Sequence, residues 1–203
     1  MKISASILAT DQQTVFDDLK IKKNKYDYVH VDIGDNEFCP TYGISHENVY
    51  KLIEDTDLII DMHFMTNDFP ELLKKMLNQS TNISKASLHV ESNSIKKFLT
   101  EMNKQTNIET GVGVLGSSDL NILNNFIYNE NFNIQYILLL CVKPGFSNQK
   151  PIVSPVERVK EFKLLFPNYE GEIMVDGGVT DSMLEELKEL GVDISVQGGA
   201  IFG

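Results

Sequence analysis

The sequence predicts an α/β protein folded as a single eight-stranded parallel (β/α) barrel over residues 1–203. Three observations predict it. Strand-like and helix-like segments alternate from one end of the chain to the other. Eight strand candidates are separated by seven amphipathic stretches, a number and length that favour a closed barrel over an open doubly wound sheet. No linker, low-complexity run or shift in composition divides the chain.

The strand candidates, in order, are "KISASIL" (2–8), "YDYVHVD" (26–32), "DLIIDMHF" (57–64), "KASLHV" (85–90), "IETGVGVL" (108–115), "IQYILLLCV" (134–142), "GEIMVD" (171–176) and "VDISVQ" (192–197). The second shows the period most clearly: Tyr28, His30 and Asp32 share one face, and Val29, Val31 and Ile33 the other. Between the strands lie "DQQTVFDDLKIKK" (11–23), "SHENVYKLIED" (45–55), "DFPELLKKMLNQ" (68–79), "ESNSIKKFLTEMNK" (91–104), "SSDLNILNNFIYN" (117–129), "SPVERVKEFKLLF" (154–166) and "TDSMLEELKELG" (180–191). Several open on Asp or Ser, which suit an N-cap, and the last closes on Gly191 as a C-terminal cap. "GGAIFG" follows the eighth strand directly, so the expected barrel lacks its eighth outer helix or is truncated before it.

A chain of 203 residues, 42% hydrophobic and 23% charged, is long enough to bury one sizeable core. Its net charge of −11 argues against a nucleic-acid partner, yet leaves room for a phosphorylated small molecule held by backbone N–H groups. Cys39 and Cys141 form neither a disulfide framework nor a metal knuckle, which points to a reducing cytoplasm. "MKISASILAT" turns polar too soon for a signal peptide, and no apolar run approaches a membrane span.

The C-terminal ends of barrel strands converge on one mouth. His30 and Asp32 on strand two, His63 on strand three and Asp176 closing strand seven all fall there. Two imidazoles and two carboxylates suit one divalent ion such as Zn²⁺, Mn²⁺, Fe²⁺ or Co²⁺. A buried imidazole and carboxylate two residues apart need a partner that offsets their desolvation, and a cation would do so. Taken singly, each has a plainer reading: a hydrogen-bonded core histidine, or an aspartate opening a turn. That plainer reading is preferred for His89 in "SLHVE" and for His46 at a helix start. "KPGFSNQ" (143–149), "DGGVT" (176–180) and "QGGAIFG" (197–203) bring glycines to three neighbouring loops, where close backbone approach favours a phosphate over ordinary turns. Lys143 is expected to lie outside that site.

At these residues the sequence resembles the ribulose-phosphate 3-epimerase family over essentially its whole length. The matching pieces are "SIL" (6–8), "HVDIGDNEF" (30–38), "DMHFM" (61–65), "KPGFSNQ" (143–149) and "VDGGVT" (175–180). The resemblance implies a TIM barrel of the ribulose-phosphate-binding type, with one divalent metal on His30, Asp32, His63 and Asp176. It implies Asp32 and Asp176 as the acid/base pair that inverts a carbon beside a ketone, D-ribulose 5-phosphate to D-xylulose 5-phosphate. The substrate would be met by Ser6, His63, Met65, Gly145, Phe146, Ser147, Asn148, Gly177, Gly178, Gly198 and Gly199. A homo-oligomer is expected, since barrels of this kind often associate.

The sequence departs from the family at several lining positions. Gly34 stands for a methionine, Asn36 for the glycine of "DG", Thr41 for an asparagine, Leu140-Cys141 for Met-Ser, Ser147-Asn148 for Gly-Gly and Gly199 for a serine. Three functions therefore stand side by side: this epimerase, an epimerase of another ketose phosphate such as a hexulose 6-phosphate, and a sugar-phosphate-binding protein without turnover. An orotidine-phosphate decarboxylase relative is set aside, because strand two reads His30-Val31-Asp32-Ile33-Gly34-Asp35 without the Lys that chemistry needs.

Overall fold

In the computed structural model, which describes residues 1–77 and 82–203, the strands form a closed parallel barrel. They are β1 (Lys2–Ser6), β2 (Tyr28–Gly34), β3 (Ile60–Met65), β4 (Ile83–His89), β5 (Glu109–Leu115), β6 (Tyr136–Leu140), β7 (Glu172–Asp176) and β8 (Ile194–Gln197). Each pairs with its sequence neighbour, and β1 closes on β8. The helices between them are α1 (Val15–Lys22), α2 (His46–Asp55), α3 (Glu71–Met76), α4 (Ile95–Met102), α5 (Asn124–Ile127), α6 (Pro155–Leu165) and α7 (Leu184–Glu189).

Two expectations are corrected. The first strand stops at Ser6, and Ile7–Ala9 turn into one 3₁₀ turn that carries the chain off the barrel rim. An eighth helix does exist: Gly199–Phe202 make a single turn, α8, directly after β8. The expected third helix extended to residue 79, of which 78 and 79 lie outside the described residues.

Local chemistry sets the helix ends. Ser45 Oγ accepts the Asn48 N–H, and Ser154 Oγ accepts that of Glu157, with Pro155 in the first turn where its missing donor costs nothing. Gly191 follows α7 with φ near +78°, a conformation that favours glycine. The buried face of α4 is Ile95, Phe98, Leu99 and Met102, the i, i+3, i+4, i+7 stripe that presses a helix onto a sheet. No helix among the described residues is long and apolar enough to cross a membrane.

The barrel interior is divided. Leu138, Leu140, Met174, Ile194 and Val196 from β6, β7 and β8 cluster with Tyr28 and Tyr136 as an apolar half. The half built by β1–β4 is polar, with Ser4, His30, Asp61, His63, Lys85 and His89 all buried. At the lower end Lys85, 1% exposed, pairs with Glu109 and, at 2.5 Å, with Glu172, its ammonium 5.0 Å from the Tyr136 ring centre. Removing one member of a buried ion cluster strands the others. Because both glutamates keep partial access to water, Lys85→Ala is expected at the lower end of such losses, about 3 kcal/mol. Thermal unfolding should then shift down by roughly 6–12 °C in a chain of this size, and a shift below about 1 °C would show the cluster contributes little.

Candidate metal centre and active site

Strand register assembles the centre. In the β2–β3 pair His30 stands beside Asp61, and Asp32 beside His63. His-x-Asp on one strand therefore meets Asp-x-His on the next, all four on the inward face of a period-two element. Asp176, the last residue of β7, enters from across the mouth.

His63 Nδ1 lies 3.0 Å from Asp32 Oδ1 and 3.6 Å from Asp176 Oδ2. His30 Nε2 lies 3.3 Å from Asp32 Oδ1, 3.3 Å from His63 Nδ1 and 3.7 Å from Asp176 Oδ2. One donor atom from each of the four residues falls within 4.8 Å of every other. Ligands bound to one ion at ~2.1 Å in a tetrahedron stand ~3.4 Å from each other, so these separations fit a single divalent cation. The donor set of two imidazoles and two carboxylates fits Zn²⁺ and its first-row neighbours.

The surrounding groups fix these four side chains. Asp61 Oδ2 lies 2.7 Å from His30 Nδ1 and accepts a 3.1 Å hydrogen bond from Ser4 Oγ. With Nδ1–H donated to Asp61, the His30 Nε2 lone pair faces the centre, as in carboxylate–histidine–metal triads. Ser6 Oγ donates to Asp32 Oδ2 at 2.9 Å. Burial alone would raise the Asp32 carboxyl, but the imidazoles beside it, His30 foremost, hold it well below the carboxylate range. Burial pushes Asp176 up to about 7, a rise that His30 opposes and the neighbouring Asp32 and Asp61 reinforce. Two carboxyl groups thus face one cavity with their proton affinities pushed apart.

That cavity, about 310 Å³, opens at the mouth of the barrel. Asp32, Asp176, Ser6 and Met65 line it. Gly145, Phe146, Ser147 and Asn148 come from the loop after β6, Gly177 and Gly178 from that after β7, and Gly198 and Gly199 from that after β8. The structure thus brings every expected substrate residue to one space except His63, which like His30 is fully buried and does not line the cavity. Lys143 is a correction: it lines the cavity, as does Lys150, because the β6 loop folds back with Gln149 Nε2 donating to the Lys143 carbonyl.

Most departures in the lining have a physical reason. Asn36 and Asn148 hold φ of 61° and 55°, where asparagine is the side chain best tolerated after glycine. Asn148 also occupies the space of any side chain at Gly199, whose Cβ would lie 2.6 Å from Asn148 Oδ1. At Gly34 a Cβ would meet the Thr41 carbonyl at 2.1 Å and Cys39 Sγ at 2.6 Å, so the segment after β2 folds over that position. Nothing in the structure explains the exchange at Leu140-Cys141.

Sequence reasoning passed over Asp61 and Glu91, and treated His89 as an ordinary core residue. The signal was present: His30-x-Asp32, Asp61-x-His63 and His89-x-Glu91 repeat the same two-residue spacing on or at the end of three consecutive strands. His46 opens α2 on the exposed surface, away from the site.

Residues 2–202 match the ribulose-phosphate 3 epimerase family. A protein named ribulose-phosphate 3-epimerase in Aquifex aeolicus is 28% identical, with 100% of this chain and 90% of the relative covered. One of the same name from Buchnera aphidicola subsp. Baizongia pistaciae is 30% identical, covering 98% and 88%. Among solved structures, a 3-hexulose-6-phosphate synthase superposes with a TM-score of 0.68 at 14% identity, covering 100% of this chain and 92% of that one. A phosphoribosyl anthranilate isomerase from Thermus thermophilus gives 0.67 at 14%, covering 98% and 88%. The two solved structures share the barrel alone. The family match over nearly the whole chain, together with the two relatives, establishes that this chain belongs to the ribulose-phosphate 3-epimerase family.

Proposed function

We propose that the chain is a metal-dependent isomerase that inverts carbon 3 of a ketose phosphate, interconverting D-ribulose 5-phosphate and D-xylulose 5-phosphate. The observation that carries this reading is the pair Asp32 and Asp176, on β2 and β7, which face one cavity and contribute to one four-residue donor cluster. His30, Asp32, His63 and Asp176 would hold the ion. A divalent ion there supplies a Lewis acid for charge that develops on the substrate oxygens when the carbon-bound proton leaves.

The chain's own groups do the rest. Asp32, kept ionised, accepts the proton from one face of carbon 3. Asp176, whose carboxyl burial raises, returns one to the other face. In the reverse direction the roles exchange. Ser6, hydrogen-bonded to Asp32 Oδ2, keeps that carboxylate aimed into the cavity. The phosphate would rest against backbone N–H groups of the three glycine loops, with Gly177 and Gly178 at φ of 90° and 73° turning their amides as L side chains rarely allow. Lys143 and Lys150 add positive charge at the rim.

The folded-over segment at Gly34 and the β6 loop that brings Lys143 to the cavity favour one second reading, a different ketose phosphate such as a hexulose 6-phosphate, with the same chemistry. An epimerase assay on a small panel of ketose phosphates, run beside metal analysis of the same sample, separates the readings. Turnover of ribulose 5-phosphate that disappears on chelation and returns with one equivalent of Zn²⁺, Mn²⁺, Fe²⁺ or Co²⁺ is expected. Metal-replete protein that binds these sugars and turns over none of them would identify a binding protein instead.

A further inference from the structure

Behind the quartet, His63 continues into a second imidazole and a carboxylate. His63 Nε2 lies 2.8 Å from His89 Nε2, and His89 Nδ1 lies 3.4 Å from Glu91 Oε2. That second contact is long, but neither of its atoms has another hydrogen-bond partner among the described residues. Glu91 Oε1 accepts from the Leu115 N–H at 2.9 Å and from Ser118 Oγ at 2.5 Å. The His89 ring is fully buried. Phe38 packs against it with centroids 5.2 Å apart, and Gly113 makes room for it, since a Cβ there would lie 3.2 Å from three ring atoms.

One arrangement of protons satisfies this row of groups. A carboxylate only accepts, so the His89 nitrogen facing it, Nδ1, carries the hydrogen. Neutral His89 then offers a lone pair at Nε2, which accepts the hydrogen of His63 Nε2. His63 is left with its lone pair on Nδ1, the atom that stands in the quartet 3.0 Å from Asp32 Oδ1. Asp61 does the same for His30 through the opposite nitrogen. We propose that His89 and Glu91 are positioning residues that lock His63 into the one neutral tautomer able to bind a divalent cation through Nδ1. The inference rests on the metal-centre reading above.

Two variants of the full-length chain test it. In Glu91→Gln, Leu115 N–H and Ser118 O–H retain the carboxamide oxygen, which turns the NH₂ group toward His89. That group donates to His89 Nδ1, every link reverses, and the hydrogen arrives on His63 Nδ1, where it blocks the metal. Glu91→Ala removes the carboxylate and leaves the tautomer free. Zn²⁺ affinity, measured by chelator competition, should fall roughly 10–100-fold in Glu91→Gln, the range seen when outer-shell partners are lost, and by less in Glu91→Ala. Thermal stability should show the opposite order, because the near-isosteric Gln keeps its two accepted bonds and Ala abandons two donors. Wild-type Zn²⁺ affinity in Glu91→Gln, or Ala worse than Gln in both measurements, would overturn the relay and leave the metal centre standing. A wild-type chain that binds no Zn²⁺ would overturn both.

Discussion

Asp176→Asn is expected to lower kcat for ketose-phosphate epimerisation by at least ~10²-fold, the lower end of what general acid–base catalysis contributes. Asn has nearly the size and shape of Asp and keeps an oxygen for the centre, but it neither takes nor gives a proton at this step. Asp176 closes β7 at the cavity edge with 14% of its side chain exposed, so the fold should tolerate the change. The metal content of wild type and variant must be compared in the same preparation. A variant that holds full metal and has lost activity assigns the loss to proton transfer, whereas restored turnover at high added metal would assign it to binding. Less than about a fivefold loss in kcat would remove Asp176 from the acid/base pair.

His30→Ala should produce the largest loss of stability in the barrel. His30 and Asp61 are both fully buried, and their 2.7 Å contact is the principal compensation each receives for leaving water. Truncation removes a proposed ligand, opens a cavity and strands the Asp61 carboxylate, whose second oxygen already lacks a partner among the described residues. Breaking such a pair typically costs about 3–5 kcal/mol, or roughly 6–20 °C in unfolding temperature for a chain of this length. His30→Ala combined with Asp61→Leu should recover part of that stability, because it removes the stranded charge, yet recover no metal binding. Recovery of Zn²⁺ affinity in the double variant would show that His30 is not a ligand.

The fold was legible because its signals are local. Alternation in "YVHVDI", caps at Ser45 and Ser154 and glycine at 191 each report on one element, and eight such elements in series leave few topologies. The cluster of two imidazoles and two carboxylates was legible for a related reason: His-x-Asp must share a strand face, and strand ends in a barrel converge. Asp61 and Glu91 were not, because their roles depend on the register between strands, which no single segment encodes. Asp61 matters because β3 aligns it with His30, and Glu91 because the turn after β4 returns its carboxylate to His89. Lys143 was misplaced for the same reason, since the path of the β6 loop is set by contacts such as Gln149 to the Lys143 carbonyl. The eighth helix escaped notice because a single turn of four residues carries no period to read.

Solvent isotope incorporation examines the paired aspartates most directly. Wild-type protein with one equivalent of bound divalent metal would be incubated with D-ribulose 5-phosphate in D₂O, and the product followed by proton NMR at carbon 3. If Asp32 and Asp176 remove and replace the proton from opposite faces, each exchanging with solvent between turnovers, D-xylulose 5-phosphate should form with deuterium at carbon 3. Product that keeps its original protium at that carbon through full conversion would contradict two-base proton transfer at this site.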